Sequence, residues 1–249
     1  MANVRTVRHS RIAHQALFGS STPARFETYP SRADLTAVLI DDDPARMVEG
    51  YRLRYQVYCI ERGFLDPAKY PDGLERDEFD RYSLHLGVLD REGTLRATSR
   101  LIQVSVLGLP LFRHCEIFAA QETEVYRPTN RVAEVSRLCM SRDPAERRLD
   151  RGAVIPTMYR ALYQFSKRAG FTHWLVATER GRHRLLTNFG FPFRPVGPHI
   201  DYFGPVAPYL MDFQEFEQIL LSGARSNMTT FFLDGLEPQF YPAACIGVV

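Results

Sequence analysis

The sequence predicts a mixed β-sheet with helices on both faces, and three observations carry that expectation. Residues 82–89 and 94–102 alternate in polarity as two strands joined by the short turn Asp90-Arg91-Glu92-Gly93. Residues 132–140, 152–169 and 172–178 read as strand, helix and strand, a run of the length a parallel pair with a right-handed crossover needs. Ahead of both, Asp43-Pro44 marks a helix start, with Asp43 as N-cap and Pro44 at the first helical position.

Taken in order, residues 1–33 have no sustained period and contain Gly19-Ser20-Ser21-Thr22-Pro23, so they are expected to form an arm. In the first helix Met47, Tyr51, Tyr55 and Tyr58 recur every three or four residues as one face, and Gly63 is placed to end it. Residues 67–80, rich in Asp, Pro and Gly, are expected to be loop. Residues 110–128 have no regular period, with Phe112, Ile117 and Phe118 as expected anchors. In the helix over 152–169, Val154, Met158, Ala161, Leu162 and Phe165 form the apolar stripe. A short helix over 182–189 stops at Gly190, and Asp212 caps a last helix running through Leu221. The expected organisation is an arm (1–33), one domain (34–222) and an extension (223–249).

Composition excludes several classes. At 249 residues, 45% hydrophobic and 24% charged, the chain is ordinary for a globular protein. It has no apolar run of spanning length and no signal-peptide pattern, so a cytoplasmic protein without a membrane span is expected. The four cysteines are scattered, without the close pairs of a zinc site or disulfide framework, and no metal is expected. Charge is uneven: residues 41–92 hold 13 acidic and 8 basic groups, whereas residues 142–184 hold 10 basic and 4 acidic. The basic half suggests an acidic partner. Without a nucleic-acid motif or interleaved aromatics, nucleic acid is not the expected one.

The chemistry-bearing residues are Arg54, Arg100 and Arg137 with Asp77, Asp80 and Glu134, set beside predicted strands and helix ends. Groups of this kind are rarely buried unless paired, so their placement predicts one ionic site. The order Arg54, Tyr58, Phe64, then Asp77 and Asp80, then Arg100 before Leu101, then Glu134-x-x-Arg137 resembles the acyl-homoserine lactone synthases and N-acyl amino acid synthases. Cys59-Ile60-Glu61 is most similar to the acyltransferases associated with PEP-CTERM/exosortase systems. The resemblance covers residues 46–140, more weakly to about 220. It implies the fold of the Gcn5-related N-acetyltransferases and transfer of a fatty acyl chain from a thioester to a small amine.

The resemblance makes Glu134, Arg137 and Arg100 the candidate catalytic residues and Arg54, Tyr58, Phe64, Asp77 and Asp80 the candidate substrate-binding residues. Glu134 is the candidate base, acting through a water, or else an ion-pair partner of Arg137 or Arg100. Asp77 and Asp80 either grip an acceptor ammonium or clamp Arg54 and Arg100, and the clamp is favoured. Tyr58 and Phe64 suit core packing as well as a substrate wall. On a regular strand Glu134 and Arg137 would face opposite ways, so the pair predicts a bulge between them. Ser136 and Cys139 lack a histidine partner, which favours direct transfer over a covalent intermediate. His183 is expected to touch a phosphate.

The implied fold cradles pyrophosphate at a turn matched here by residues 147–153, where Leu149 takes the place of a polar lead residue. Acyl carrier protein is therefore the preferred donor, with coenzyme A the alternative. Arg147, Arg148, Arg151, Arg180, Arg182 and Arg184 are its expected docking face. No permanently bound cofactor is expected. Two rival functions remain: an acyl-homoserine lactone synthase using S-adenosylmethionine, and a non-catalytic sensor that binds acyl carrier protein or a lipid.

Overall fold

The computed structural model describes residues 35–140, 151–202, 204–222 and 226–242. The predicted arm, Arg147 and Arg148, the side chain of Arg151 and residues 243–249 of the extension lie outside the described residues. The strands form a mixed, mostly antiparallel sheet flanked by helices. The chain divides into two units: residues 35–102 with Ser136–Leu162, and Gln103–Val135 with residues 163–242.

In the first unit, β1 (Thr36–Leu39) is followed by α1 (Pro44–Tyr55), whose N-cap Asp43 accepts from the N–H groups of Ala45 and Arg46. The helix does not stop at Tyr55 but widens into a π-helical turn, Gln56–Glu61, before Gly63 turns the chain at φ +61°. Such turns are rare and gather at functional sites. The buried row is Gly50, Arg54 and Val57, not the predicted tyrosine face, which is half-buried. Residues 67–80 contain two short 3₁₀ turns, Pro67–Lys69 and, from Asp80, Asp80–Tyr82. Then β2 (Ser83–Leu89) and β3 (Leu95–Gln103) form the expected antiparallel hairpin, with β1 on the far edge of β2. Gly93, at φ +78°, supplies the turn.

In the second unit come two short helices, α2 (Leu111–His114) and α3 (Ala119–Val125), where irregular chain was expected. Leu111 is buried there, whereas the expected anchor Phe118 is 46% exposed. Strand β4 (Val132–Met140) begins in this unit and ends in the first. Helix α4 (Arg151–Arg168), which belongs to the first unit as far as Leu162, leads to β5 (His173–Glu179), and residues 132–134 of β4 pair with residues 173–175 in parallel, as the strand–helix–strand pattern predicts. After α5 (Arg180–Asn188), two short strands, β6 (Arg194–Pro195) and β7 (Ile200–Asp201), both pair with β8 (Pro205–Asp212). Residues 206–212 of β8 run antiparallel to the whole of β5. Asp212 caps α6 (Phe213–Leu221), but this is not the last helix: α7 (Ser226–Leu233) follows. Phe232 of α7 packs edge-on against Tyr163, Phe191 and Phe216. Its carbonyl and that of Asp234 accept from the buried Gln164 amide.

Candidate active site

Arg54 sits on the last turn of α1, facing inward, and is 2% exposed. A lone guanidinium would not stay there. Its Nε donates to Glu75 at 2.5 Å and its Nη1 to Asp80 at 2.7 Å. Arg100, on β3 and 1% exposed, grips Asp77 with two donors at 2.6 and 2.8 Å and reaches Asp80 at 2.6 Å. Arg137, on the last part of β4, donates from Nε and Nη2 to Glu75 at 3.1–3.2 Å and lies 3.4 Å from Asp77. Five of the six predicted ionic residues thus meet in one lattice in the first unit, with Asp77 and Asp80 clamping Arg54 and Arg100.

Two further members were not foreseen. Glu75, fully buried, bridges Arg54 and Arg137. His85, in the middle of β2, lies between Asp80 and Asp41. His85 has a signal in the sequence, as the one titratable group in a largely apolar strand; Glu75 does not stand out from the other acidic residues of its loop.

The lattice opens outward at one edge. Asp77 and Arg137 are 19% and 20% exposed, whereas Arg54, Glu75, Asp80 and Arg100 are closed off. Arg137 has φ +54°, left-handed for a residue that is not glycine. That conformation costs free energy and is retained where the surroundings impose it, here through Glu75 and Asp77. The parallel pairing of β4 with β5 ends at Glu134, three residues earlier. The Tyr58 hydroxyl donates to the Leu138 carbonyl at 3.1 Å, and the Arg137 guanidinium lies 5.4 Å from the Tyr58 ring centre. Phe64 is half-buried, held by its N–H to the Tyr58 carbonyl, with Arg62 over its ring. The Arg100 Nε is buried without a hydrogen-bond partner among the described residues.

Electrostatics follow from this packing. Burial alone would raise the Asp80 carboxyl, but Arg54, Arg100 and His85 hold it well below the usual range. Burial acts the same way on Glu75 and Asp77 and is overcome by Arg137 and Arg54 in the first case and by Arg100 in the second. All three are ionised at neutral pH. Burial pushes the Cys139 thiol up to about 12 and, with Glu134 adding, Cys115 up to about 11. Neither thiol is a nucleophile in that state.

Glu134 belongs to the second unit. It is 5% exposed, and its carboxylate accepts the backbone N–H of Leu111, at the start of α2, at 2.9 Å. On α5, Arg180 and Arg184 are exposed and Arg182 is half-buried. His183 does not face outward to a phosphate as expected. Its ring stacks on Tyr209 at 4.1 Å, and its Nε2 lies 2.8 Å from the Phe193 carbonyl. Among the described residues no cluster is arranged to hold a metal ion, and no helix is long and apolar enough to cross a membrane.

Residues 53–153 match the acetyltransferase (GNAT) domain. No curated protein matches the chain in sequence. Solved structures share its fold. FeeM, an N-acyl amino acid synthase from uncultured soil microbes, is 14% identical with a TM-score of 0.56, over 78% of this chain and 96% of its own. The acyl-homoserine lactone synthase LasI is 15% identical with a TM-score of 0.56, over 76% of this chain and 94% of its own. The coenzyme A-dependent lactone synthase BjaI, solved with S-adenosylmethionine and isopentyl-CoA, is 18% identical with a TM-score of 0.56, over 79% and 90%. The domain match over residues 53–153 supports an acyltransferase, and the solved structures share its fold.

Proposed function

We propose that the protein is an N-acyltransferase that moves a fatty acyl chain from a carrier-protein or coenzyme A thioester to the amine of an amino acid or related small molecule. The observation that carries this reading is the open edge of the lattice. A paired carboxylate and guanidinium, Asp77 and Arg137, stand at an otherwise closed ionic cluster, with the Arg137 backbone held in a strained conformation. Arg137 suits the carboxylate of an amino acid and Asp77 its ammonium. Tyr58 and Phe64 supply the apolar wall. Arg54 and Asp80, buried behind them, act by holding these groups in place.

Glu134 is the proposed base. Through a water it takes a proton from the ammonium, and the freed amine attacks the thioester carbonyl. The new C–N bond forms and the C–S bond breaks; the nitrogen's second surplus proton goes to the departing sulfur, which leaves as the thiol, and the first passes from Glu134 through the water to solvent. The raised cysteine thiols favour this direct route over an acyl-enzyme. Arg147, Arg148, Arg151, Arg180, Arg182 and Arg184 are the proposed docking face for the acidic carrier. Within that reading we assign the chain to the exosortase-associated branch, on the resemblance of Cys59-Ile60-Glu61.

The test is turnover by the purified full chain of acyl thioesters of graded length, on carrier protein and on coenzyme A, with each amino acid and with S-adenosylmethionine. The expected product is an N-acyl amino acid formed without S-adenosylmethionine. A lactone formed only with S-adenosylmethionine would make the protein a lactone synthase. Binding of the thioester with no turnover would make it a sensor.

A further inference from the structure

His85 is buried at the centre of β2, with Leu84 and Leu86 beside it in sequence. Its Nδ1 lies 2.8 Å from Asp41 Oδ1 and its Nε2 3.0 Å from Asp80 Oδ1. The same Asp41 accepts the backbone N–H of His85 through Oδ2 at 2.8 Å. An ionised carboxylate only accepts, so two carboxylates on one ring require a proton on both nitrogens.

Asp80 cannot supply that proton itself. Besides the ring it accepts from Arg54 at 2.7 and 3.3 Å, from Arg100 at 2.6 Å and from the Asp77 N–H at 2.8 Å. With all four carboxylates ionised, the charges also balance only with a cationic ring. Arg54, Arg100 and Arg137 face Glu75, Asp77 and Asp80, which leaves Asp41 to be matched by His85. From the other packed elements, Tyr51 of α1 meets the ring edge-on at 6.1 Å, and Arg100 of β3 is its register partner across the hairpin.

We infer that His85, held as an imidazolium between Asp41 and Asp80, is a positioning residue that fixes Asp80 as the shared acceptor of Arg54 and Arg100. Asp80 Oδ1 takes three donors, and His85 is the one that pins it from the β2 side. Releasing His85 lets Asp80 rotate, and Arg100 then loses one of its two carboxylates. Asp77, the other, is the group at the open edge. Loss of the His85 proton therefore reaches the acceptor position without His85 touching the acceptor. The consequence for activity rests on the acyltransferase reading, but the protonation state of the ring does not.

The experiment has two independent arms on the full chain. The first records ring-nitrogen NMR signals of ¹⁵N-labelled protein across pH, with His85→Gln assigning the resonance. Two protonated nitrogens are expected at neutral pH and well above the usual histidine midpoint of about 6.5. Asp41→Asn, which keeps the ring, should move that transition to lower pH. A neutral His85 at pH 7, or an Asp41→Asn transition that does not move, would overturn the inference.

The second arm measures the pH profile of acceptor use. His85→Gln should raise the acceptor KM about 10-fold while changing kcat much less, because the chemistry lies elsewhere. The alkaline loss of acceptor affinity in the wild type should vanish in that variant and shift down in Asp41→Asn. A cationic ring with an unchanged KM and an unchanged alkaline limb would refute the positioning role. A wild type that turns over no thioester would defeat the acyltransferase reading, and the first arm would still decide the state of His85.

Discussion

Replacing Asp80 with asparagine removes one negative charge at the point where the buried lattice is most connected. Asp80 contacts Arg54, Arg100 and His85 and is 8% exposed. Each of those cations keeps one carboxylate after the change: Glu75 for Arg54, Asp77 for Arg100 and Asp41 for His85. The cost therefore belongs at the low end for breaking a buried ion pair, about 3 kcal/mol. In a protein of this size that corresponds to a fall in Tm of about 9 °C. The control is Asp72→Asn, which breaks the exposed Arg76–Asp72 pair and should move Tm by no more than about 3 °C. Differential scanning calorimetry at several pH values adds the sign. The Asp80 carboxyl is depressed in the folded state, so its contribution is present above the unfolded carboxylate value of about 3.9 and is lost as pH falls through the folded one. The gap between wild type and Asp80→Asn should hold from neutral pH down to about pH 4 and close below it. A gap no larger than that of Asp72→Asn, or one that widens on acidification, would refute the lattice as a stabilising unit.

Three further outcomes are expected. Glu134→Gln keeps an acceptor for the Leu111 N–H, so the fold should survive while kcat drops about 100-fold, less at high pH where the amine arrives deprotonated; an early-melting variant with normal turnover per folded molecule would make Glu134 a structural cap. Reversing Arg180 and Arg184 to glutamate should raise the donor KM with little change in kcat, and added salt should weaken the wild type in the same direction, as steady-state kinetics would report; unchanged donor dependence would return both arginines to solvated surface. Gly197→Ala places a Cβ 2.0 Å from the Glu116 carbonyl oxygen and 2.6 Å from Pro208; because backbone cannot yield as a side-chain tip does, a loss of about 3 kcal/mol is expected in chemical denaturation, and a neutral result would contradict that packing.

Local rules sufficed where one signal dominated. Asp43-Pro44, the Asp90–Gly93 turn and the strand–helix–strand run appear where their chemistry predicts. Strand β8 was not legible because Pro205 and Pro208 argue against a strand, yet Pro208 sits opposite Ala177 in a paired position. At the site, the arginines and aspartates could be named because charge at strand ends is conspicuous. Glu75 could not, since a loop holding Asp72, Glu75 and Glu78 does not reveal which carboxylate turns inward. The inward turn comes from the Glu75 N–H bonding the Tyr51 carbonyl, a contact no local pattern encodes. The π-helical turn after Tyr55 likewise has no sequence signature. It follows directly on the turn of α1 that carries Arg54.

The most direct test of the central claim is mass spectrometry of lipid extracts from cells expressing the chain, compared with cells expressing Glu134→Ala. The acyltransferase account predicts a new acylated amine in the first extract that is absent or strongly reduced in the second. Its mass would give the acyl length and the acceptor together. Indistinguishable extracts, from cells in which both proteins are folded and abundant, would contradict the account.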